Sequence, residues 1–144
     1  MTTTQARILK GYAIRTTGAC EPVTLSGANE SWREINTAIG ARHFDVVSLP
    51  GNIDLFVNDE GLIDGSPLNL PLTIVIHQLG GRTAICGDGM FLGVNQRNGD
   101  NIALDDVQLE QILTAIKTPP TPDVVAALAQ TLAPMRAYLE STRS

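Results

Sequence analysis

The sequence predicts an α+β fold, a mostly antiparallel sheet with packed helices and a C-terminal helical extension. Two patterns carry that expectation. Runs rich in β-branched and aromatic residues, bounded by Gly, Pro, Asn or Asp, recur from Ile8 to Val94. After Asp105 the apolar residues fall at helical spacing instead. A length of 144 residues fits one domain. It divides into an α+β core over residues 1–104 and a helical extension of the same domain over 105–144.

Ile8, Leu9, Tyr12 and Ile14 alternate imperfectly with Arg7, Lys10 and Arg15, as in a half-buried strand. Thr16-Thr17-Gly18-Ala19 turns the chain, and Pro22 to Leu25 makes a second strand. Asn29 or Ser31 caps a helix whose apolar face is Trp32, Ile35 and Ile39, and Gly40 ends it. Phe44 to Leu49 is the next strand, followed by a turn at Pro50-Gly51-Asn52. Ile53, Leu55 and Val57 then share one strand face, opposite Asp54, Phe56 and Asn58. Asn58-Asp59-Glu60-Gly61 reads as a hairpin turn with Gly61 at positive φ. On that reading Gly61→Val costs about 1–2 kcal/mol.

Residues 71–79 carry two signals. Their β-branched content favours a strand, but Leu72, Val75, Ile76 and Leu79 fall at i, i+3, i+4, i+7. Asn69 can cap, Pro71 suits a first turn and Gly80-Gly81 can close the end, so a short helix is expected. Thr83 to Val94 reads as a strand or strand pair broken at Gly87-Asp88-Gly89, and Asn95 to Asn101 as a polar loop. Asp105 caps a helix with Leu109, Ile112, Leu113 and Ile116 on one face. Thr118 to Pro122 is a stiff connector. Thr121 then caps a last helix, in which Val125, Leu128, Leu132, Met135 and Leu139 form an a/d-type seam. That seam predicts self-association, most simply as a two-fold homodimer. Pro134 is expected to kink or split the helix near Ala133.

Composition narrows the classes of function. Charged residues are sparse (17%) and the net charge is −5, so the basic footprint of a nucleic-acid binder is absent. The carboxylates are scattered, with Asp59-Glu60 and Asp105-Asp106 as the longest acidic runs. Cys20 and Cys86 are far apart and form no metal or redox motif, as expected of thiols in a reducing compartment. The first residues show no basic segment followed by an apolar one, and no stretch is long enough to span a membrane. A cytoplasmic protein without membrane association is expected.

The candidate chemistry is thin. His43 and His77 lack ligand partners at metal-binding spacing, so no metal site is expected, and His77 reads as an exposed or edge residue. Asp59 and Glu60 could place two carboxylates beside a pocket, but they lack the alternating pattern of a calcium loop. Gly87-Asp88-Gly89 is the one glycine-rich candidate for phosphate contact. It lacks the lysine and hydroxyl of a P-loop, and strand bulges use the same residues. An anion site there would need Arg82 and Arg97 beside it. No serine sits in a nucleophile elbow, and Cys86 lies in an apolar run where a thiol is inert. No catalytic residue and no cofactor are assigned.

The order of Phe44 to Leu49, then Ile53 to Leu62, then Pro67-Leu68-Asn69 and a glycine-bounded Ile85-Cys86-Gly87, resembles a known family. It is a family of small domains found mainly in phages, plasmids and conjugative elements, catalogued as domain of unknown function 3846. The resemblance covers about residues 7–94 and leaves the Gly87-Asp88-Gly89 loop and the segment after Asp105 outside. It implies a mobile-element setting and carries no catalytic residue to transfer.

The resemblance leads to a non-catalytic accessory binding protein that sequesters a host protein or a small nucleotide-like anionic signal, as in counter-defence. A second class is an enzyme acting on a phosphorylated or nucleotide substrate, with Asp59, Glu60 and Asp88 near the reaction centre. A third is a structural or assembly protein. A pocket holding those carboxylates with shifted pKa values would favour the enzyme. A broad apolar patch would favour assembly, and a basic rim around a concave site would favour anion capture.

Overall fold

The computed structural model describes residues 8–26, 31–61 and 63–141. Within them the order is β1 (Leu9–Ile14), β2 (Cys20–Leu25), α1 (Ser31–Ile39), β3 (Phe44–Leu49), β4 (Ile53–Asn58), α2 (Leu70–Gln78), β5 (Gly89–Val94), β6 (Asn101–Ile102), α3 (Asp106–Lys117) and α4 (Pro122–Ser141). The strands form one antiparallel sheet in the order β2-β1-β5-β4-β3. The short β6 pairs with the far end of β5, Gly93 opposite Ile102. The chain is α+β, as the sequence predicts.

The alternation along β4 sets the layers. Ile53, Leu55 and Val57 point to one face, where they pack with Leu72, Val75 and Ile76 of α2 and Ile112 and Ala115 of α3. Phe56 points to the other, toward Ile35 and Ile39 of α1 with Met90 and Leu92 of β5. Phe44 meets Phe56 edge to face at 5.1 Å. Side chains of this size contribute about 1.5–3 kcal/mol each when fully buried. Two cores therefore grip the sheet from both sides.

The helix over 71–79 forms as α2, with Asn69 accepting from Leu72 N–H and proline in the first turn. Burial on a central sheet face decides against the β-branched preference of this run. Asp105 and Gln108 close a capping box on α3. Ile112 of α3 is fully buried in the first core, so this helix is integral to the core rather than part of an appended extension. Among the described residues, neither core takes a side chain from α4.

Several expectations fail in instructive ways. Trp32 is 50% exposed; only Ile35 and Ile39 carry the apolar face of α1. Asn58 to Gly61 is not a hairpin turn, because β4 pairs with β3 and β5 and the chain passes on to α2. Gly61 has no positive φ. A Cβ there would overlap the Cys86 carbonyl oxygen, so close backbone approach is what calls for glycine. Only Gly89–Val94 of the 83–94 run is a strand; Cys86 makes an isolated bridge to Leu68. The last helix runs unbroken through Pro134. Asn29 lies outside the described residues, as do the side chains of Met135 and Leu139.

Candidate functional site

The polar residues nominated from sequence divide between the two ends of the sheet. Asp59, Glu60, Gly87, Asp88 and Gly89 gather at the end where β4 stops and β5 starts, since Val57 pairs with Gly89. Arg97 lies in the β5–β6 loop, past the far end of β5. Arg82 follows α2 at that far end as well, where a Cβ on Gly81 would touch Leu49 and one on Gly80 would touch Pro50. A six-residue strand spans roughly 20 Å. The structure therefore does not bring Arg82 and Arg97 beside the glycine loop. Arg82 instead donates to the Gly81 and His77 carbonyls, at 2.6 and 3.3 Å.

Fold-building bonds occupy the glycine loop. Gly87, at φ +95°, donates its N–H to the Pro67 carbonyl, and its own carbonyl accepts from Asn69 Nδ2 at 3.0 Å. Asp88 accepts from Thr16 N–H at 2.9 Å and pairs with Arg15 at 3.2 Å. Arg15 also reaches Glu21 at 2.9 Å and donates to the Ala38 carbonyl, tying β1, β2, α1 and the loop together. Sequence reading missed Arg15. Its signal was faint: a cation at the end of a strand, immediately before a turn.

Asn69 is the second knot at this end. It is fully buried, and its amide donates to the Ile14 and Gly87 carbonyls at 2.9 and 3.0 Å while its oxygen accepts from Leu72 N–H. Beside it the turn after β4 is closed by Asp64, which accepts from Ser66 Oγ, Ser66 N–H and Asn58 Nδ2. Those bonds, the Ser66 hydroxyl first, hold the Asp64 carboxyl below its ordinary value. Burial pushes the Cys86 thiol up, with the Asp64 charge adding to it. Burial likewise raises Cys20. Neither thiol is tuned toward the nucleophilic thiolate. Asp59 is exposed and Glu60 half-buried; their backbone N–H groups bond to the His43 carbonyl and to Asn58 Oδ1. Among the described residues no group of three His, Cys, Asp or Glu side chains is placed to hold a metal ion.

His77 corrects the sequence reading outright, for it is 2% exposed. Its Nδ1 lies 2.7 Å from the Thr73 carbonyl, which can only accept, so that nitrogen carries hydrogen. Its Nε2 meets the Thr131 hydroxyl of α4 at 2.8 Å, and that hydroxyl also bonds to the Ala127 carbonyl one turn back at 3.0 Å. This contact docks α4 on α2 of its own chain. Leu128 and Leu132 are half-buried on that side, whereas Val125 of the predicted seam is 49% exposed.

Concave surface lies at both ends of the sheet, beside the glycine-loop end, where Ile14 pairs with Gly89, and at the far end. A cleft of about 300 Å³ opens between the β1–β2 turn, α2 and α3, lined by Ile14, Cys20, Leu70, Pro71, Ile74 and Ile116 among others. A larger, more polar one of about 520 Å³ lies between the β3–β4 turn and α3, with Gln78, Glu110 and Gln111 on its walls.

The family model described as Domain of unknown function (DUF3846) matches residues 9–117. The chain belongs to this family. The DUF3846 match runs from β1 through α3, well past the residues whose pattern carries the resemblance, and it leaves α4 outside. Its end point agrees with the structure, in which α3 belongs to the core of the DUF3846 domain. No curated protein matches the chain, and no solved structure does. No helix among the described residues is long and apolar enough to cross a membrane.

Proposed function

We propose that this DUF3846 protein is a non-catalytic binding module that holds a protein partner, in the accessory role its mobile-element resemblance suggests. The observation that carries this reading is the apolar cleft beside α2 and α3. Ile14, Leu70, Pro71, Ile74 and Ile116 line it, and Leu70 is 42% exposed. Its volume suits one or two anchoring side chains of a partner, buried away from water. The nucleotide-like alternative draws less support, since Arg82 and Arg97 lie a strand's length from the glycine loop and Arg15, the cation beside it, is paired with Asp88 and Glu21. Host cytoplasm as the compartment belongs to the same proposal.

The test substitutes the cleft wall. Ile74 is half-buried, so Ile74→Arg leaves the melting temperature within a few degrees while closing the cleft with a charge. Wild-type protein retains a host partner in affinity capture, and the variant loses it. Equal capture by both proteins would remove the cleft from the function. A melting shift of the wild type with a nucleotide panel would return the small-anion reading. Self-association through the exposed Val125 side of α4 is a separate proposal; light scattering of full-length protein at high concentration decides it, with a monomer counting against it.

A further inference from the structure

The two edges of the sheet are closed by different means. In β2 the outward positions follow from Arg15 N–H donating to the Ala19 carbonyl, which puts the odd-numbered residues of β2 in bonds to β1. Cys20, Pro22 and Thr24 therefore face out. Pro22 has no N–H to offer at the centre of that edge. Just beyond the strand, Ser26 N–H is taken by Glu34 of α1.

β3 is different. Asp59 N–H donates to the His43 carbonyl and Val94 N–H to the Asn52 carbonyl. Both fix the odd-numbered residues of β3 in bonds to β4. The N–H and C=O groups of Phe44, Val46 and Ser48 therefore point away from the sheet, and no strand among the described residues pairs with that side. The edge has no proline and no lysine. Its one guard is Asp45, whose Oδ1 accepts from Val46 N–H at 2.8 Å. A proline closes an edge permanently, whereas a carboxylate can swing away. Val46 itself is 39% exposed.

We propose that β3 is a strand-addition site for an extended protein segment carrying a basic residue opposite Asp45. The three outward residues specify an extended backbone as the ligand. The charge specifies the rest. Asp45 is the only charged residue on the strand and the chain carries −5 overall, so a second copy would bring a second Asp45 to the seam. A Lys or Arg opposite Asp45 draws its carboxylate off Val46 N–H and frees that donor for pairing. The added segment runs antiparallel to β3, and in that ladder Asp45 falls in the closer, non-hydrogen-bonded class of pair, where side chains meet best. A β-branched residue opposite Val46 covers its exposed surface on the other face.

The probe is the acetylated, amidated hexapeptide Thr-Val-Lys-Val-Thr-Thr, titrated into ¹⁵N-labelled full-length protein. Saturable amide shifts and slowed hydrogen exchange are expected at Phe44, Val46 and Ser48. A peptide with Glu in place of Lys binds about fivefold more weakly. With Asp45→Lys protein the preference reverses toward the Glu peptide; this position is exposed, so the variant folds. No saturable change at millimolar peptide, shifts centred elsewhere, or equal binding of both peptides would overturn the proposal. Concentration-dependent protection of these three amides without peptide would identify a second copy as the occupant and overturn it equally.

Discussion

The glycine-loop end of the sheet and the cleft beside α2 and α3 make opposite use of their residues. The first holds Asp88, Arg15, Asn69, Asp64 and Ser66, side chains of the kind from which active sites are built, and the fold engages each of them. The second holds little but Ile, Leu, Pro and a raised-pKa thiol, and it is open. Polar chemistry in a sequence marks a site only when its donors and acceptors are left over. Here they close a crossing of four elements, and the open apolar cleft next to them is chemically plain.

The sharpest way to break that contrast is to cut the knot. Asn69→Ala strands the buried Ile14 and Gly87 carbonyls and removes the α2 cap. It is expected to cost about 3 kcal/mol or more in urea unfolding. A loss under about 1 kcal/mol would mean that the amide is not the tie described. Next in size is Gly61→Ala, expected to cost about 1–3 kcal/mol because its Cβ meets the Cys86 carbonyl and backbone must move. An unchanged melting curve would contradict that close approach.

These two residues also show what was legible in the sequence. The cap role of Asn69 could be read from Pro71 and the apolar spacing behind it, because a cap is a local device. Its bond to Ile14 spans 55 positions and leaves no local trace. Gly61 was legible as a glycine that matters, but not why, since the atom it avoids belongs to Cys86. His77 was misread for the same reason: its partner Thr131 lies 54 residues on. The strands and helices, set by local periodicity, were largely readable. The site was not, because availability is a property of tertiary partners.

A smaller effect sharpens the comparison through pH. Hydrogen bonds from Ser66 and Asn58 lower the Asp64 carboxyl pKa in the folded state. A depressed acid pKa contributes stability that is present above the unfolded value and lost as pH falls through the folded one. Wild-type stability is therefore expected to fall more steeply than that of Asp64→Asn on acidification through the carboxylate range. Parallel pH profiles for the two proteins would show that the turn gains nothing from the charge.

The most direct test of the central claim, that the glycine-loop end serves the fold rather than a ligand, is urea unfolding of Asp88→Ala beside Asp88→Asn. Asp88→Ala removes the acceptor of Thr16 N–H and the partner of Arg15, and is expected to cost about 1–2 kcal/mol at an unchanged m-value. Asp88→Asn keeps an oxygen for Thr16 and is expected to cost less. Equal stability of all three proteins would contradict the account and hand Asp88 back to ligand chemistry.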